Sequence, residues 1–90
     1  MANILKAASA GTMESSDAYV EIEPGSKGLE IHVESVVEQQ FGQAIEAAVK
    51  DVLQEQQVEN AVVRVVDRGA LDCVLRARIE TALLRAKEAK

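Results

Sequence analysis

Two short segments alternate apolar and polar residues, and this period of two constrains the fold more than any other feature of the chain. Residues 18–23 and 29–34 both follow it, and such alternation is typical of half-buried β-strands. The sequence Pro-Gly-Ser-Lys-Gly at 24–28 favours a turn, so we predict a β-hairpin. The side chains expected to face the core are Val20, Ile22, Leu29, Ile31 and Val33.

The pattern then changes to helical spacing. Ser35 and Glu38 match the pattern of a capping box, in which the hydroxyl and the carboxylate would each accept a hydrogen bond from an unpaired backbone N–H. We predict an amphipathic helix from there to about residue 54 or 56. Its apolar stripe consists of Val37, Phe41, Ala44, Ile45, Ala48 and Val52, and its polar face of Gln39, Gln43, Glu46 and Lys50.

A run of mostly β-branched residues at 61–66 predicts an interior strand that is covered on most of both faces. Asp67 or a neighbour is expected to cap a second helix over about 70–87, with Asp72 and Arg76 as an i,i+4 ion pair. Its main apolar stripe is Leu71, Leu75, Ile79, Ala82 and Ala86, and a weaker strip opposite is Ala70, Cys73, Ala77 and Leu84. The second helix is therefore expected to have two contact faces.

This order of elements, β-β-α-β-α, predicts an α+β fold with a small, mainly antiparallel sheet and two amphipathic helices on one face. Residues 3–9 are a possible extra N-terminal strand. A chain of 90 residues forms one domain, and it buries only about 60–65% of the surface that its unfolded form exposes. We therefore expect a single domain over 1–90 without a deep substrate cleft.

Charge and composition exclude several classes of function. The chain has 15 acidic and 10 basic residues, and the net charge is −8 over 1–60 but +3 over 61–90. The acidic balance disfavours nucleic acid as a partner, and the uneven charge is either a set of solvated faces or a docking surface. With one cysteine, no signal peptide pattern and no apolar run of 18 residues, we expect a cytoplasmic protein without membrane contact.

Two candidate sites in the chain have plain structural explanations. His32 shares a strand face with Glu30 and Glu34, but a lone histidine among solvated carboxylates favours an exposed strand face over a metal site. Cys73 is a possible nucleophile in the first turn of a helix. Its apolar neighbours and Asp72 favour a packing role instead. We therefore predict no catalytic constellation and no metal site.

The segment 11–17, Gly-Thr-Met-Glu-Ser-Ser-Asp, precedes the first clear strand. Its composition is compatible with an ordinary turn or helix cap. The less favoured alternative is an exposed hydroxyl that accepts a phosphate ester, with Glu14 and Asp17 either as determinants for a modifying enzyme or as ordering groups. Composition does not decide between these interpretations.

Three separated stretches, at 10–17, 35–42 and 67–78, resemble the acyl carrier protein, or gamma subunit, of bacterial citrate lyase. The likeness extends over nearly the whole chain. The resemblance implies that Ser15, directly after Gly-Thr-Met-Glu, is the site where the family's prosthetic group is attached, with Ser16 as the neighbouring position. Met13 stands where leucine is commoner in the family, a conservative difference.

The same resemblance implies a function. The group is 2'-(5''-phosphoribosyl)-3'-dephospho-coenzyme A, covalently joined to the serine through a phosphodiester by a prosthetic-group transfer enzyme. Its thiol carries acetyl, which the alpha subunit (acyl transferase) exchanges for citryl. The beta subunit (citryl lyase) then cleaves the citryl thioester to oxaloacetate and restores the acetyl form. The chain would be a non-catalytic acyl carrier domain whose reactive thiol comes from the cofactor.

An alternative from another class is a structural adaptor that binds larger partners through its C-terminal helix. It is suggested by the two apolar strips of that helix and by the positive charge of residues 61–90. A hydrolase acting alone is less favoured, because the sequence contains no pattern of acid and base groups in a cleft.

Overall fold

The computed structural model describes residues 4–35 and 39–87, with the side chains of the first helix described from Gln43 onward. Its elements are β1 (Ala8–Gly11), β2 (Ala18–Pro24), β3 (Leu29–Ser35), α1 (Gln39–Glu55), β4 (Ala61–Asp67) and α2 (Asp72–Lys87). The predicted α+β class is confirmed. The additional N-terminal strand is present as β1, which begins five residues later and ends two residues later than the predicted span of 3–9.

The four strands form one sheet in the order β1-β2-β4-β3. The neighbouring pairs β1–β2 and β2–β4 are antiparallel, whereas β3 and β4 are parallel. The sheet is therefore mixed, and α1 is the crossover connection that parallel neighbours require.

The predicted hairpin between the second and third strands is wrong, because β4 lies between them. The loop at 25–28 instead passes the start of β4, where the Gly28 N–H donates to the Asn60 side chain (2.8 Å) and the Ala61 N–H donates to the Gly28 carbonyl (3.2 Å). The strand richest in β-branched residues thus gains a neighbour on both edges.

The strand register brings most of the apolar side chains of the four strands to one face. Val20 lies opposite Val65, Ile22 opposite Val63, and Ala8 opposite Ile22. The predicted core residues of β2 and β3 lie on this face, with Val20 and Ile22 buried and Leu29, Ile31 and Val33 half-buried against the core. Both helices pack on this side of the sheet, α2 over β1 and β2 and α1 over β3.

The expectation that β4 is covered on most of both faces is wrong. Arg64 is exposed and Val62 and Val66 are half-buried, so only the alternate residues, including Val63 and Val65, lie under the helices. A β-branched run on an interior strand reflects two strand neighbours here, and a second layer of helices is not needed to explain it.

Helix α1 ends at Glu55, as predicted. Ile45, Ala48 and Val52 are buried as expected, and Val49 and Leu53 extend the stripe, whereas Ala44 is exposed. Ser35 is the last residue of β3. The rest of the capping box (36–38, including Val37) and the Phe41 side chain lie outside the described residues.

Helix α2 begins at Asp72, two residues later than predicted, and the Leu75 N–H donates to the Leu71 carbonyl in its first turn. Asp67 caps the preceding turn instead of the helix, since its carboxylate accepts hydrogen bonds from the Ala70 N–H (3.0 Å) and the Ser35 hydroxyl (3.0 Å). Leu71 is exposed. The other predicted core residues of the helix are buried together with Leu83: Leu75, Ile79, Ala82 and Ala86. Neither α1 nor α2, the helices of the described residues, has the length and hydrophobicity of a membrane-spanning helix.

Candidate functional site

The serine-containing segment is the loop that joins the antiparallel strands β1 and β2. Gly11, where the loop begins, has a φ of 95°, which L side chains rarely adopt. A Cβ at this position would also overlap the carbonyl oxygen of Ala18 and approach the Arg78 side chain. The start of the loop therefore requires glycine.

Asp17 organises the loop through its carboxylate. It accepts hydrogen bonds from the Thr12 hydroxyl (2.7 Å) and from the Ala18 N–H (2.7 Å). The Thr12 hydroxyl in turn accepts from the Glu14 N–H (3.2 Å), and the Asp17 N–H donates to the Glu14 carbonyl (3.2 Å). Both ends of the loop are tied to this one aspartate.

Arg78, from the second turn of α2, pairs with Asp17 in a bidentate arrangement. Nε lies 2.9 Å from one carboxylate oxygen and Nη2 lies 3.0 Å from the other, the geometry of the stronger ion pairs in proteins. The Asp17 side chain is only 15% exposed. Hydrogen bonds from Arg78, and secondarily from Thr12, hold the pKa of Asp17 well below its ordinary value of 3.8.

The turn after β4 supports the loop from another direction. The Ser16 N–H donates to the Arg68 carbonyl (2.8 Å), and the Arg68 N–H donates to the Asp17 carbonyl (2.9 Å). These two bonds continue the β2–β4 ladder beyond the pair Ala18–Asp67. The loop is thus attached to both the sheet and α2.

Ser15 lies at the exposed tip of this loop, and Ser16 after it has a φ of 66°. Among residues 4–35 and 39–87, no hydrogen bond involves the Ser15 hydroxyl. An accessible hydroxyl on a fixed backbone is suited to being modified by an enzyme, while the surroundings contain no histidine that would activate it for catalysis on its own.

The other two candidates are separate from this loop. His32 is exposed on β3 and lies 2.8 Å from Glu30, and within the described part of the chain no three metal-binding side chains cluster. Cys73 is exposed, so the predicted packing role is wrong. The apolar stripe of α2 faces the core, and Cys73 lies on the solvent side of the first turn.

Sequence reasoning missed the groups that hold Ser15 in place, namely Gly11, Arg68 and Arg78. Arg68 and Arg78 belong to the matched stretch at 67–78, but nothing in their local pattern pairs them with a loop about fifty to sixty residues earlier. The predicted role of Asp17 as an ordering group is the interpretation that the geometry supports.

Comparison of the sequence with known proteins identifies the family. Residues 5–86 match the acyl carrier family described as malonate decarboxylase delta subunit (MdcD). The chain is 52% identical over 86 residues to citrate lyase acyl carrier protein 2 of Salmonella typhimurium, covering 94% of this chain and 89% of that protein. It is 55% identical over 85 residues to the citrate lyase acyl carrier protein of Serratia proteamaculans, covering 92% and 82%.

A solved structure shares the fold. It is the crystal structure of a Pseudomonas malonate decarboxylase hetero-tetramer in complex with malonate, in which one chain superposes with a TM-score of 0.79 at 25% identity, covering 93% of this chain and 87% of that one. The match over residues 5–86 and the identities above 50% with named relatives lead to one conclusion: the chain belongs to the citrate lyase acyl carrier protein family.

Proposed function

We propose that the chain is the acyl carrier subunit of citrate lyase and that Ser15 bears its prosthetic group through a phosphodiester. The observation that carries this proposal is the exposed Ser15 hydroxyl on a loop whose backbone is fixed on both sides of it. The names of the relatives point to citrate lyase, and the cleavage of citrate to acetate and oxaloacetate is the reaction that we propose for the complex.

The residues around Ser15 are compatible with a covalent phosphodiester. The hydroxyl is exposed, so the group can extend into solvent without displacing core residues. The carboxylate of Asp17, two residues along the chain, is neutralised by Arg78. Arg68 is exposed, and no ion pair among the described residues includes it, so its guanidinium is available to a phosphate oxygen.

The proposed group is 2'-(5''-phosphoribosyl)-3'-dephospho-coenzyme A, whose thiol supplies a leaving group for acetyl and citryl thioesters. The chain's own contribution is to present the attachment point. Asp17, Thr12 and Arg78 hold the loop, so that a transfer enzyme meets the Ser15 Oγ in one arrangement. That oxygen forms the new P–O bond to an activated phosphoryl donor, and its proton and the donor's leaving group depart.

We propose a non-catalytic role for this chain, with the alpha and beta subunits as partners and the cytoplasm as its location. A tethered acyl group reaches two active sites at a high effective concentration without any catalytic group on the carrier. The assembly of the structural relative as a hetero-tetramer supports a role in a complex.

The test is citrate cleavage by the complex of alpha, beta and carrier after treatment with the transfer enzyme. We expect Ser15→Ala to abolish cleavage and Ser16→Ala, the matched neighbour, to retain it. Size-exclusion chromatography of both complexes controls for assembly. Cleavage that survives in an assembled Ser15→Ala complex would exclude the carrier role at this serine.

A structural adaptor is the second candidate, favoured by the exposed apolar side chains on and beside α2. Leu84 is 60% exposed and Leu71 is 71% exposed. In this case Leu84→Ser would weaken binding of the larger subunits, and Ser15→Ala would leave both assembly and activity intact.

A further inference from the structure

We propose that the carrier binds part of its own prosthetic group, with the adenosine moiety seated in an apolar groove between α1 and the start of α2. This inference rests on the proposed attachment at Ser15. It assigns a ligand site to residues that the attachment itself does not use.

The groove has a volume of about 390 Å³, within the range of about 300–1,000 Å³ that small-molecule sites occupy. Its apolar walls are formed by Ala44, Ile45, Ala70, Leu71 and Leu75. Leu71 is the most exposed large hydrophobic residue of the described chain, at 71%.

The groove adjoins the Ser15 loop through Arg68. Asp67 and Gly69, on either side of Arg68 in the sequence, both line the groove. The Arg68 carbonyl and N–H are the groups that bind Ser16 and Asp17. A substituent on Ser15 therefore starts beside the turn that forms one wall of the groove.

The order of groups along the prosthetic arm matches this layout. The phosphodiester comes first, where the exposed Arg68 guanidinium can pair with its charge. After the ribose comes the adenosine, whose base has two apolar faces and is suited to a groove of leucine, isoleucine and alanine.

The carboxylates of the groove select against the charged parts of the arm. Asp67 is buried and accepts hydrogen bonds from Ser35 and Ala70, and Asp72 pairs with Arg76 at 3.0 Å. Neither side chain provides a positive charge for a pyrophosphate, and Arg76 is already paired with Asp72. The pyrophosphate and the pantetheine that follow it therefore stay outside, and the thiol remains accessible to the partner subunits.

The experiment compares ¹³C-methyl NMR spectra of the unmodified and the loaded carrier, with loading established by intact-protein mass spectrometry. We expect the adenine ring current to shift the methyl signals of Ile45, Leu71 and Leu75. The methyls of Leu5 and Leu84, which are exposed but do not line the groove, serve as controls and stay in place.

The possible results separate the two proposals. A loaded carrier whose groove methyls do not shift more than those of Leu5 and Leu84 would overturn the groove proposal and leave the attachment intact. A carrier that acquires no mass under loading conditions would refute the attachment, and the groove proposal with it.

A pair of variants tests the groove itself. Ala44→Glu adds a carboxylate to its wall, whereas Gln43→Glu adds the same charge at the adjacent exposed position, which does not line it. We expect both variants to load fully, with the shifts at Leu71 and Leu75 lost in Ala44→Glu and retained in Gln43→Glu. Equal shifts in the two would contradict the proposal.

Discussion

The Asp17 carboxylate links the Ser15 loop to β2 and to α2. Asp17 binds Thr12 within the loop, Ala18 at the start of β2 and Arg78 on α2. Because one carboxylate satisfies donors from three directions, its removal leaves several groups unpaired at once. The position of Ser15 thus depends on a residue two places along the chain.

Asp17→Asn is expected to lower the melting temperature by several degrees, because the neutral amide cannot form the bidentate ion pair with Arg78. The matched control is Asp72→Asn, which removes a carboxylate from Arg76 at a position 73% exposed, where an ion pair contributes little. Circular dichroism melts at neutral pH measure both. Equal melting temperatures for the two variants would mean that the Asp17–Arg78 ion pair stabilises the protein no more than the exposed Asp72–Arg76 pair does.

The stabilisation by Asp17 is also expected to depend on pH. Its pKa in the folded protein is depressed below the ordinary value of 3.8, so the ionised form favours folding above that value, and the contribution is lost as the pH falls toward the folded-state pKa. The difference in melting temperature between wild type and Asp17→Asn should therefore stay constant from neutral pH down to about pH 4 and shrink progressively below it. A difference that stays the same well below pH 4 would disagree with this linkage.

Gly11→Ala is expected to destabilise the protein by more than the backbone penalty of a positive φ. Gly28→Ala is the control, since Gly28 has a φ of 86° but no atom within 4 Å of an added Cβ, and it should cost about 1–2 kcal/mol. At Gly11 the added Cβ also overlaps Ala18, which forces the loop to move. Urea unfolding compares the two, and a smaller loss for Gly11→Ala would be inconsistent with the close approach.

At the scale of elements, the sequence predicts which segments are strands and helices better than it predicts their neighbours. Period-two alternation in β2 and β3 identifies the face that is buried, and the register confirms it. It contains no information about the partner strand, and the turn residues at 24–28 are compatible with a hairpin as well as with a loop past β4. Only the chain's global packing places β4 in between.

The two faces of α2 lead to a direct prediction from adjacent residues. Leu83 is 1% exposed and Leu84 is 60% exposed, so Leu83→Ala should cost about 2–5 kcal/mol through the cavity it leaves. Leu84→Ala should change the free energy of unfolding by no more than about 0.5 kcal/mol. Denaturant titrations measure both values, and a large loss for Leu84→Ala would mean that the buried face of the helix is misassigned.

The candidate site was only partly predictable for the same reason. The local sequence at 11–17 indicates an exposed, serine-containing turn, and the family resemblance alone singles out Ser15 within it. The contacts that fix the loop come from Arg68 and Arg78, which are close only after β4 and α2 have packed. Such long-range pairs leave no periodic signal in the sequence.

At the scale of the whole molecule, the two sides of the sheet differ in what covers them. One side buries the core under both helices. The other is open, and the exposed glutamates Glu21, Glu23, Glu30 and Glu34 account for part of the acidic charge of residues 1–60. The Ser15 loop is at one end of the sheet, where it is held by the turn after β4 and by α2, away from the loop at 25–28 at the opposite end.

The decisive measurement is the intact mass of the carrier, with peptide mapping, after expression together with the prosthetic-group transfer enzyme. Wild type and Ser16→Ala should each gain the mass of one phosphoribosyl dephospho-coenzyme A group, located on Ser15. Ser15→Ala, whose loop keeps its contacts with Asp17 and Arg68, should gain none. Added mass on Ser15→Ala, or its absence from wild type, would contradict the assignment of Ser15 as the attachment site.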